Sequence, residues 1–461
     1  MSTPAAIAIV GAGPSGFYAA DALLRANTPG RALRVDLIDR LPTPFGLVRG
    51  GVAPDHQNIK RITRAFEKTA RHEHFRFLGN VTLGEDLTVE ELKAHYHAII
   101  YAVGNESFRT LGIPGESSPR VRSATEFVFW YNGHPDYSDR HFDLRDVRQV
   151  VIVGVGNVAM DVARILARPP ETLKPTDIAG YALDALRESA VEEIVIVGRR
   201  GPAQAAFSLK EIKELHDLSG ATLVISPEQA ALDPVSDAWL GSEDAPPTAA
   251  AIVEWLQSVA GPPPDAGRIM RLEFCASPTA FQMDAAAPEG VQMVRNRLEP
   301  SQKRPRPVVT AETWTQPAQL VLTAIGYRGI PIPGVPFRPD WGLIPNEDGR
   351  VLDGPDGPRR AGEYVVGWAK RGPSGLIGSN RPDARGVVAL LLDDLPDLPQ
   401  PPSADRDLID QIAHRGVRVV RYADWKRLDA EEIRRGQARG AVRLKFTDVT
   451  DMLEHLDPPQ G

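Results

Sequence analysis

Two glycine-rich turns each follow a short apolar strand and precede a helix, and two apolar strands bracket the second turn. These observations predict an α/β protein with two Rossmann-like dinucleotide-binding domains, the second inserted into a discontinuous first. The boundaries fall near Gly104 and Gly326, giving residues 1–104 and 326–461 to the outer domain and 105–325 to the inserted one.

The first unit opens on the apolar run at residues 7–10 and enters Gly11-Ala12-Gly13-Pro14-Ser15-Gly16. Residues 17–25 then read as a helix with Ala19, Ala20, Leu23 and Leu24 on its buried side, and a second apolar run at 33–38 ends in Asp39. Gly11 permits the tight turn, Gly13 lets a pyrophosphate approach the backbone, and Gly16 lets helix and strand pack closely. The helix start offers free N–H groups and a positive dipole end to phosphate. Asp39 is placed to accept hydrogen bonds from an adenosine ribose. The motif alone does not choose between NAD and FAD.

The second unit is the strand at 150–153 followed by Gly154-Val155-Gly156-Asn157-Val158-Ala159, with Ala159 in the third glycine position, and a helix to 167. Pro169 and Pro170 interrupt, a helix at 178–189 follows, and the strand at 194–198 ends in Arg199-Arg200. Two guanidiniums at that sheet end suit the 2′-phosphate of NADP, where an NAD site would carry an acid. The gap from Gly156 to Arg199 exceeds the usual ~20 residues because of the inserted segment.

The bracketing strands are residues 98–104 and 320–327, of the same apolar shape ending in small residues. Residues 75–81 read as another strand of the first sheet. Residues 40–56 are too rich in Pro and Gly for a regular element and form a loop at the end of the second strand, where ligands sit in open α/β sheets. Residues 58–71 read as one helix with Lys60, Arg64, Lys68 and Arg71 on one face, a solvated face or a docking stripe for an acidic partner. Within 221–310, residues 236–247 and 261–267 are loop-like, 249–259 is a short helix, and 271–275 reads as a strand carrying a structural Cys275. The stretch 362–380 is a strand ending at Gly367, then Trp368, then a helix expected to begin near Ser374-Gly375. That helix start is an anion site placed to face the pyrimidine edge of a flavin. Residues 395–403 are a Pro-rich linker, and 405–456 are helical with Trp425 and Leu428 as core residues.

The chain has 461 residues, 42% hydrophobic and 25% charged, a soluble globular composition long enough for two or three domains. A net charge of −7 argues against a general nucleic-acid binder. The single cysteine excludes an intramolecular disulfide, a Cys-x-x-Cys site and a disulfide reductase. No run reaches transmembrane length and no signal peptide is evident, so a cytoplasmic protein without membrane insertion is expected, and a processed organellar protein would read the same; a monomer is expected. No metal site is expected.

The stretches GAGPSGFYAADALL, PFGLVRGGVAPDH, VIVGVGNVAMDVARILARPP, VGRRGPAQAAF, GWAKRGPSGLIGSN and RGVRVVRYADWKRLDAEE span nearly the whole chain. In them the chain resembles the adrenodoxin reductase-like ferredoxin–NADP reductases, including their bacterial members. The resemblance implies FAD on the first unit and NADPH on the second. It implies FAD contacts at Ser15, Asp39, Leu47, Val81 and Trp368, with Gly375, Leu376 and Ile377 at the flavin ring. It implies NADPH contacts at Val155, Gly156, Asn157, Val158, Arg199, Arg200 and Glu211, with Gly375 near the nicotinamide. His56 and Asp161 match polar residues near the reaction centre, and Glu214 is a further candidate. The implied activity is hydride transfer from NADPH to FAD, then single-electron transfer to an iron–sulfur ferredoxin, an acidic one by the basic residues Lys60 and Arg64. Two rival classes stand beside it: another NADPH-dependent flavin enzyme, such as a glutamate-synthase-like electron-input subunit or a monooxygenase, and a non-catalytic NADP sensor.

Overall fold

The computed structural model describes residues 4–262, 267–283, 289–403 and 407–457. Two sheets organise it. The seven-stranded sheet runs Asn346–Glu347, Arg350–Leu352, Arg359–Val365, Ala98–Tyr101, Ala5–Val10, Leu33–Ile38, Phe75–Leu78. Its last five strands are parallel, and an antiparallel hairpin extends the other edge. The six-stranded sheet runs Val121–Ser123, Leu320–Thr323, Gln149–Val153, Glu193–Val197, Arg268–Glu273, Ala221–Val224, all parallel.

Both sheets are doubly covered, and the alternation of their strands shows why. Ile7 and Ile9 join the core that holds Phe17, Phe66 and Trp425, while Ala6, Ala8 and Val10 face Leu92, Ile409 and Ile412 across the sheet. Val150 and Ile152 likewise face one core and Val151 and Val153 another. A parallel strand buried on both faces reads as an unbroken apolar run, which is how these strands look in the sequence.

The chain crosses between the sheets where Ser107–Phe108 pairs antiparallel with Tyr327–Arg328. Strands on both sides of the excursion, Ala98–Tyr101 and Arg359–Val365, lie side by side in the first sheet.

Four local readings are corrected. Residues 58–71 are two helices, Gln57–Lys60 and Thr63–Ala70, and Lys60 turns inward onto Asp177 rather than joining the exposed stripe of Arg64, Lys68 and Arg71. The 236–247 stretch is not all loop: Pro234–Leu240 is a helix, started by Asp233 accepting from the N–H groups of Val235 and Ser236. The loop after Asp39 contains the short helix Leu47–Gly50. Arg268–Glu273 is the strand, and Cys275 lies beyond it with φ 50°. A three-stranded antiparallel sheet, Ala276–Gln282, Gly290–Glu299 and Arg306–Pro317, went unread. Parts of the 261–267 loop and of the segment from 405 lie outside the described residues.

The C-terminal helices Leu408–Ala413, Tyr422–Gln437 and Val449–Leu456 pack onto the first sheet. Trp425 is 1% exposed, meets Phe45 edge-on at 5.9 Å and lies under the Arg49 guanidinium at 5.1 Å. Three residues on, Leu428 is also buried. Replacing this indole by methyl leaves a cavity behind the 45–50 loop, so Trp425→Ala is expected to cost about 3–5 kcal/mol in urea unfolding. A loss below about 1 kcal/mol would mean that the tail does not brace the loop.

Candidate active site

The two glycine turns open at equivalent points. In each sheet the strand order reverses beside the strand leading into the turn, between Ala5–Val10 and Ala98–Tyr101 and between Gln149–Val153 and Leu320–Thr323. Such switch points hold ligands in open α/β sheets. Gly11 has φ +107°, and a Cβ there would sit 2.4 Å from the Ala102 carbonyl oxygen. Gly154 has φ +132°, and its Cβ would sit 2.3 Å from the Ala324 carbonyl oxygen. The backbone therefore touches the end of the neighbouring strand in both units, which only glycine allows. Gly16 packs the helix onto the turn, its Cβ position only 2.1 Å from the Gly11 carbonyl oxygen.

Gly13 and Gly156 do something else. Each is the N-cap of the following helix, Pro14–Arg25 or Asn157–Ala167, and neither helix start has a side-chain cap. A Cβ on either glycine would meet nothing within 4 Å. Open space before uncapped N–H groups is the chemistry of a pyrophosphate cradle.

Around the first turn the expected residues converge. The Asp39 carboxylate accepts from the Ala12 N–H at 2.6 Å and the Leu41 N–H at 2.9 Å. Burial pushes its carboxyl up to about 6, with those two N–H groups working in the opposite direction. Asp39, Leu47, Arg49, Glu106 and His134 line one pocket that opens to solvent. Val81 is buried. Ser15 lies against Gly367, where a Cβ would meet its Oγ at 2.2 Å. Trp368 begins the short helix Trp368–Arg371 and is half-buried against Tyr327, ring centroids 5.4 Å apart, with its indole N–H unpaired. Gly375 and Leu376 are exposed, Leu376 by 68%, and Ile377 is half-buried. The helix expected at Ser374-Gly375 starts later, as Asn380–Asp394 after a short 3₁₀ turn, because Gly375 has φ +84°.

Around the second turn, the Asn157 side chain accepts from the Ser208 N–H at 2.8 Å, and Ser208 caps the helix Leu209–His216. That link fixes the helix carrying Glu211 and Glu214. Val155 and Val158 pack on the core below. Arg199 is exposed, its carbonyl held by Asn296 at 2.9 Å. Arg200 donates to the Pro305 carbonyl at 2.7 Å. Burial lowers the Arg200 guanidinium, and the charges of Arg199 and Arg304 lower it further. Arg304 and Asn296 lay outside the sequence motif.

The cleft between the units is bridged by residues 55–57. His56 Nε2 lies 2.8 Å from Glu214 Oε2 and 3.9 Å from Glu211, and its Nδ1 lies 3.6 Å from Asp161. His56, Asp161, Glu211 and Glu214 are thus brought together. At their centre is Arg164, whose side chain is 1% exposed. It donates to Asp55 at 2.7 Å, to Asp161 at 2.5 Å and to Glu211 at 3.2 Å. Burial pushes the Asp55 carboxyl up, but Arg164 outweighs it and the net is below the usual range. Burial leaves Asp161 above its ordinary value, and burial together with the Asp161 charge raises Glu211. Burial raises Glu214 too, but the His56 hydrogen bond brings it below the usual value. Sequence reasoning missed Asp55 and Arg164, although an arginine at i+3 from Asp161 in an otherwise apolar helix was a signal.

Arg164→Met leaves Asp55, Asp161 and Glu211 buried without their cation and is expected to destabilise by about 3–5 kcal/mol. The carboxyls with raised values take up protons as pH falls, which removes repulsion, so the deficit should shrink between pH ~7.5 and ~5.5 in urea melts. An equal deficit at both values would show that the carboxylates do not share this guanidinium.

The pyridine nucleotide-disulphide oxidoreductase family model matches residues 5–172. The chain is 43% identical to the NADPH-ferredoxin reductase FprA of Mycobacterium tuberculosis, over 98% of both chains. It is 41% identical to the mitochondrial NADPH:adrenodoxin oxidoreductase of Homo sapiens, over 98% of this chain and 91% of that one. The structure of M. tuberculosis FprA in complex with NADPH superposes with a TM-score of 0.91 at 41% identity, covering 98% of this chain and 99% of that one. The chain belongs to the adrenodoxin reductase-like ferredoxin–NADP reductase family.

Proposed function

We infer that this chain is an NADPH-dependent ferredoxin reductase, which uses FAD to pass electrons from NADPH to a ferredoxin-type iron–sulfur protein. The observation that carries the reading is the pair of uncapped glycine turns at two switch points, with a diarginine at the second and the His56 segment bridging them. When bound, FAD supplies the chemistry that converts a two-electron hydride donor into a one-electron source.

The chain's own residues bind and orient. Gly13 and Ser15 receive the FAD pyrophosphate on the turn that Gly11 and Gly16 shape, Asp39 holds the adenosine ribose, and Leu47 and Val81 pack beside it. Trp368, Gly375, Leu376 and Ile377 border the ring. On the turn that Gly154 shapes, Val155, Gly156, Asn157 and Val158 receive the NADPH pyrophosphate, and Arg199 and Arg200 hold its 2′-phosphate. Glu211, on the helix that Asn157 and Ser208 fix, orients the nucleotide end nearest the cleft. His56, with Asp161 and Glu214, holds or moves a proton at the imidazole. On this assignment residues 1–104 and 326–461 form the FAD domain and 105–325 the NADP domain, a division supported by the sheet memberships.

All these residues lie on one chain, so a monomer suffices for activity. A lone Cys275 with no pairing partner fits a reducing compartment, the cytoplasm. No helix among the described residues is long and apolar enough to cross a membrane. The partner is an acidic ferredoxin, and the exposed basic residues Arg64, Lys68 and Arg71 are its docking stripe.

The purified protein should show a flavin spectrum that anaerobic NADPH bleaches. Removing both guanidiniums (Arg199→Ala with Arg200→Ala) should weaken NADPH by about 100-fold and NADH by less than about threefold. Equal losses for both nucleotides would remove the 2′-phosphate assignment, and a protein that stays colourless with added FAD would remove the flavin.

Reversing charge with Arg64→Glu and Lys68→Glu should raise the KM for ferredoxin about tenfold at low salt while NADPH-to-dye turnover is unchanged. Unchanged ferredoxin kinetics would place the docking face elsewhere.

A further inference from the structure

Lys445 lies between the helices Tyr422–Gln437 and Val449–Leu456, and its side chain is 2% exposed. Its ammonium donates to Asp177 at 2.8 Å, to the Arg49 carbonyl at 3.0 Å and to the Asn132 carbonyl at 2.9 Å, which uses all three N–H groups. Asp177, 4% exposed, also takes Lys60 at 2.7 Å, and Lys60 reaches the Asn132 side chain at 3.2 Å. Gln57 donates to the same carboxylate at 2.8 Å.

Two features set this cluster apart from an ordinary ion pair. Its members come from both units: Arg49, Gln57, Lys60 and Lys445 from the outer one, Asn132 and Asp177 from the inserted one. It also buries two ammoniums on one carboxylate, with carbonyl oxygens completing the shell. Burial drives both lysines down, Lys445 strongly, and the Asp177 charge works against that. A well-packed apolar contact would be at least as stabilising, so stability alone does not account for the arrangement. A shared carboxylate with fixed carbonyl partners accepts one geometry and resists sliding. Lys60 closes the short helix Gln57–Lys60, and His56 is its N-cap. Whatever holds Lys60 and Gln57 on Asp177 therefore holds His56 at Glu214.

We propose that Lys445, Asp177 and Lys60 are positioning residues that lock the two nucleotide-binding units in the orientation hydride transfer requires. The proposal rests on the FAD and NADPH assignment above. None of the three meets the reacting atoms. They act through the backbone of residues 49–60 and through Asn132.

The test uses the full FAD-loaded chain with Lys445→Met, which leaves the Lys60–Asp177 pair matched in charge. FAD content should match the unsubstituted protein and the Kd for NADP⁺ should stay within about twofold, because the glycine turns, Asp39, Arg199 and Arg200 make no bond to Lys445. Stopped-flow bleaching by NADPH should slow by about tenfold or more, because orientation is lost. Hydrogen exchange, measured on the FAD-loaded chain without NADPH or NADP⁺, should quicken in peptides covering 49–60, 129–137 and 173–180 and stay slow in Ala5–Val10 and Gln149–Val153. Bleaching within about twofold of the unsubstituted protein would overturn the proposal. So would exchange that quickens in both sheets together, the mark of plain destabilisation. If Lys445→Met fails to hold FAD, Lys60→Met, which leaves the Lys445–Asp177 pair, is judged by the same readings. Failure of NADPH to bleach the unsubstituted protein would remove the functional assignment instead, while the exchange pattern would still decide whether the cluster clamps the seam.

Discussion

The cleft depends on the Arg164 guanidinium. Asp55, Asp161 and Glu211 each bond to it, and Glu214 stands one imidazole away. Two like charges 4 Å apart repel by roughly 4 kcal/mol at an effective dielectric of 20, so this gathering of acids would not assemble unaided. Arg164 also decides where the outer unit sits. Asp55 belongs to the loop that leaves the first sheet, and Arg164 to the helix that follows the second glycine turn. Their bond brings the next residue, His56, onto Glu214 without His56 having to pay for its own placement.

The glycine turns solve one geometric problem twice. In each unit a strand must end against its neighbour, so the first glycine sits on the carbonyl of Ala102 or Ala324. The helix must then start with its N–H groups facing outward, so the N-cap is a second glycine with no side-chain cap. Several other helices do carry a side-chain cap: Ser123, Ser208, Asp233 and Asp448 all accept from their first turns. Among the starts without a side-chain cap, Gly13 and Gly156 stand at sheet switch points with open space before them, where phosphate would supply the acceptors.

The parts of this architecture that were legible in the sequence are those whose cause is local. Strands buried on both faces announce themselves as apolar runs, and glycine turns have a fixed spacing, so the two units could be read directly. The antiparallel sheet after Cys275 could not, because its last strand, Arg306–Pro317, is mostly exposed and carries no apolar alternation. Lys60 was misread for a different reason. Helical periodicity places it beside Arg64, but a carboxylate 117 residues away takes it inward. Asp55 was missed for the same reason, since its partner Arg164 is far along the chain, and Arg164 left only its i+3 spacing from Asp161 as a signal.

That distinction has a functional side. The contacts that build each unit are mostly apolar, and the contacts that join the units at the cleft are charged: Asp55 to Arg164, His56 to Glu214, Lys60 and Lys445 to Asp177. Apolar surfaces tolerate small displacements at little cost, since dispersion and water exclusion are not directional. Buried hydrogen-bonded charges do not, because a shift leaves a desolvated charge without its partner. Hydride transfer needs its reacting atoms within roughly 3–3.5 Å and correctly aligned, a tolerance narrower than an apolar seam alone enforces. A seam of charged pairs is therefore suited to two nucleotide sites that must face each other in one register, and it explains why the chain spends so many buried charges where it could have used leucines.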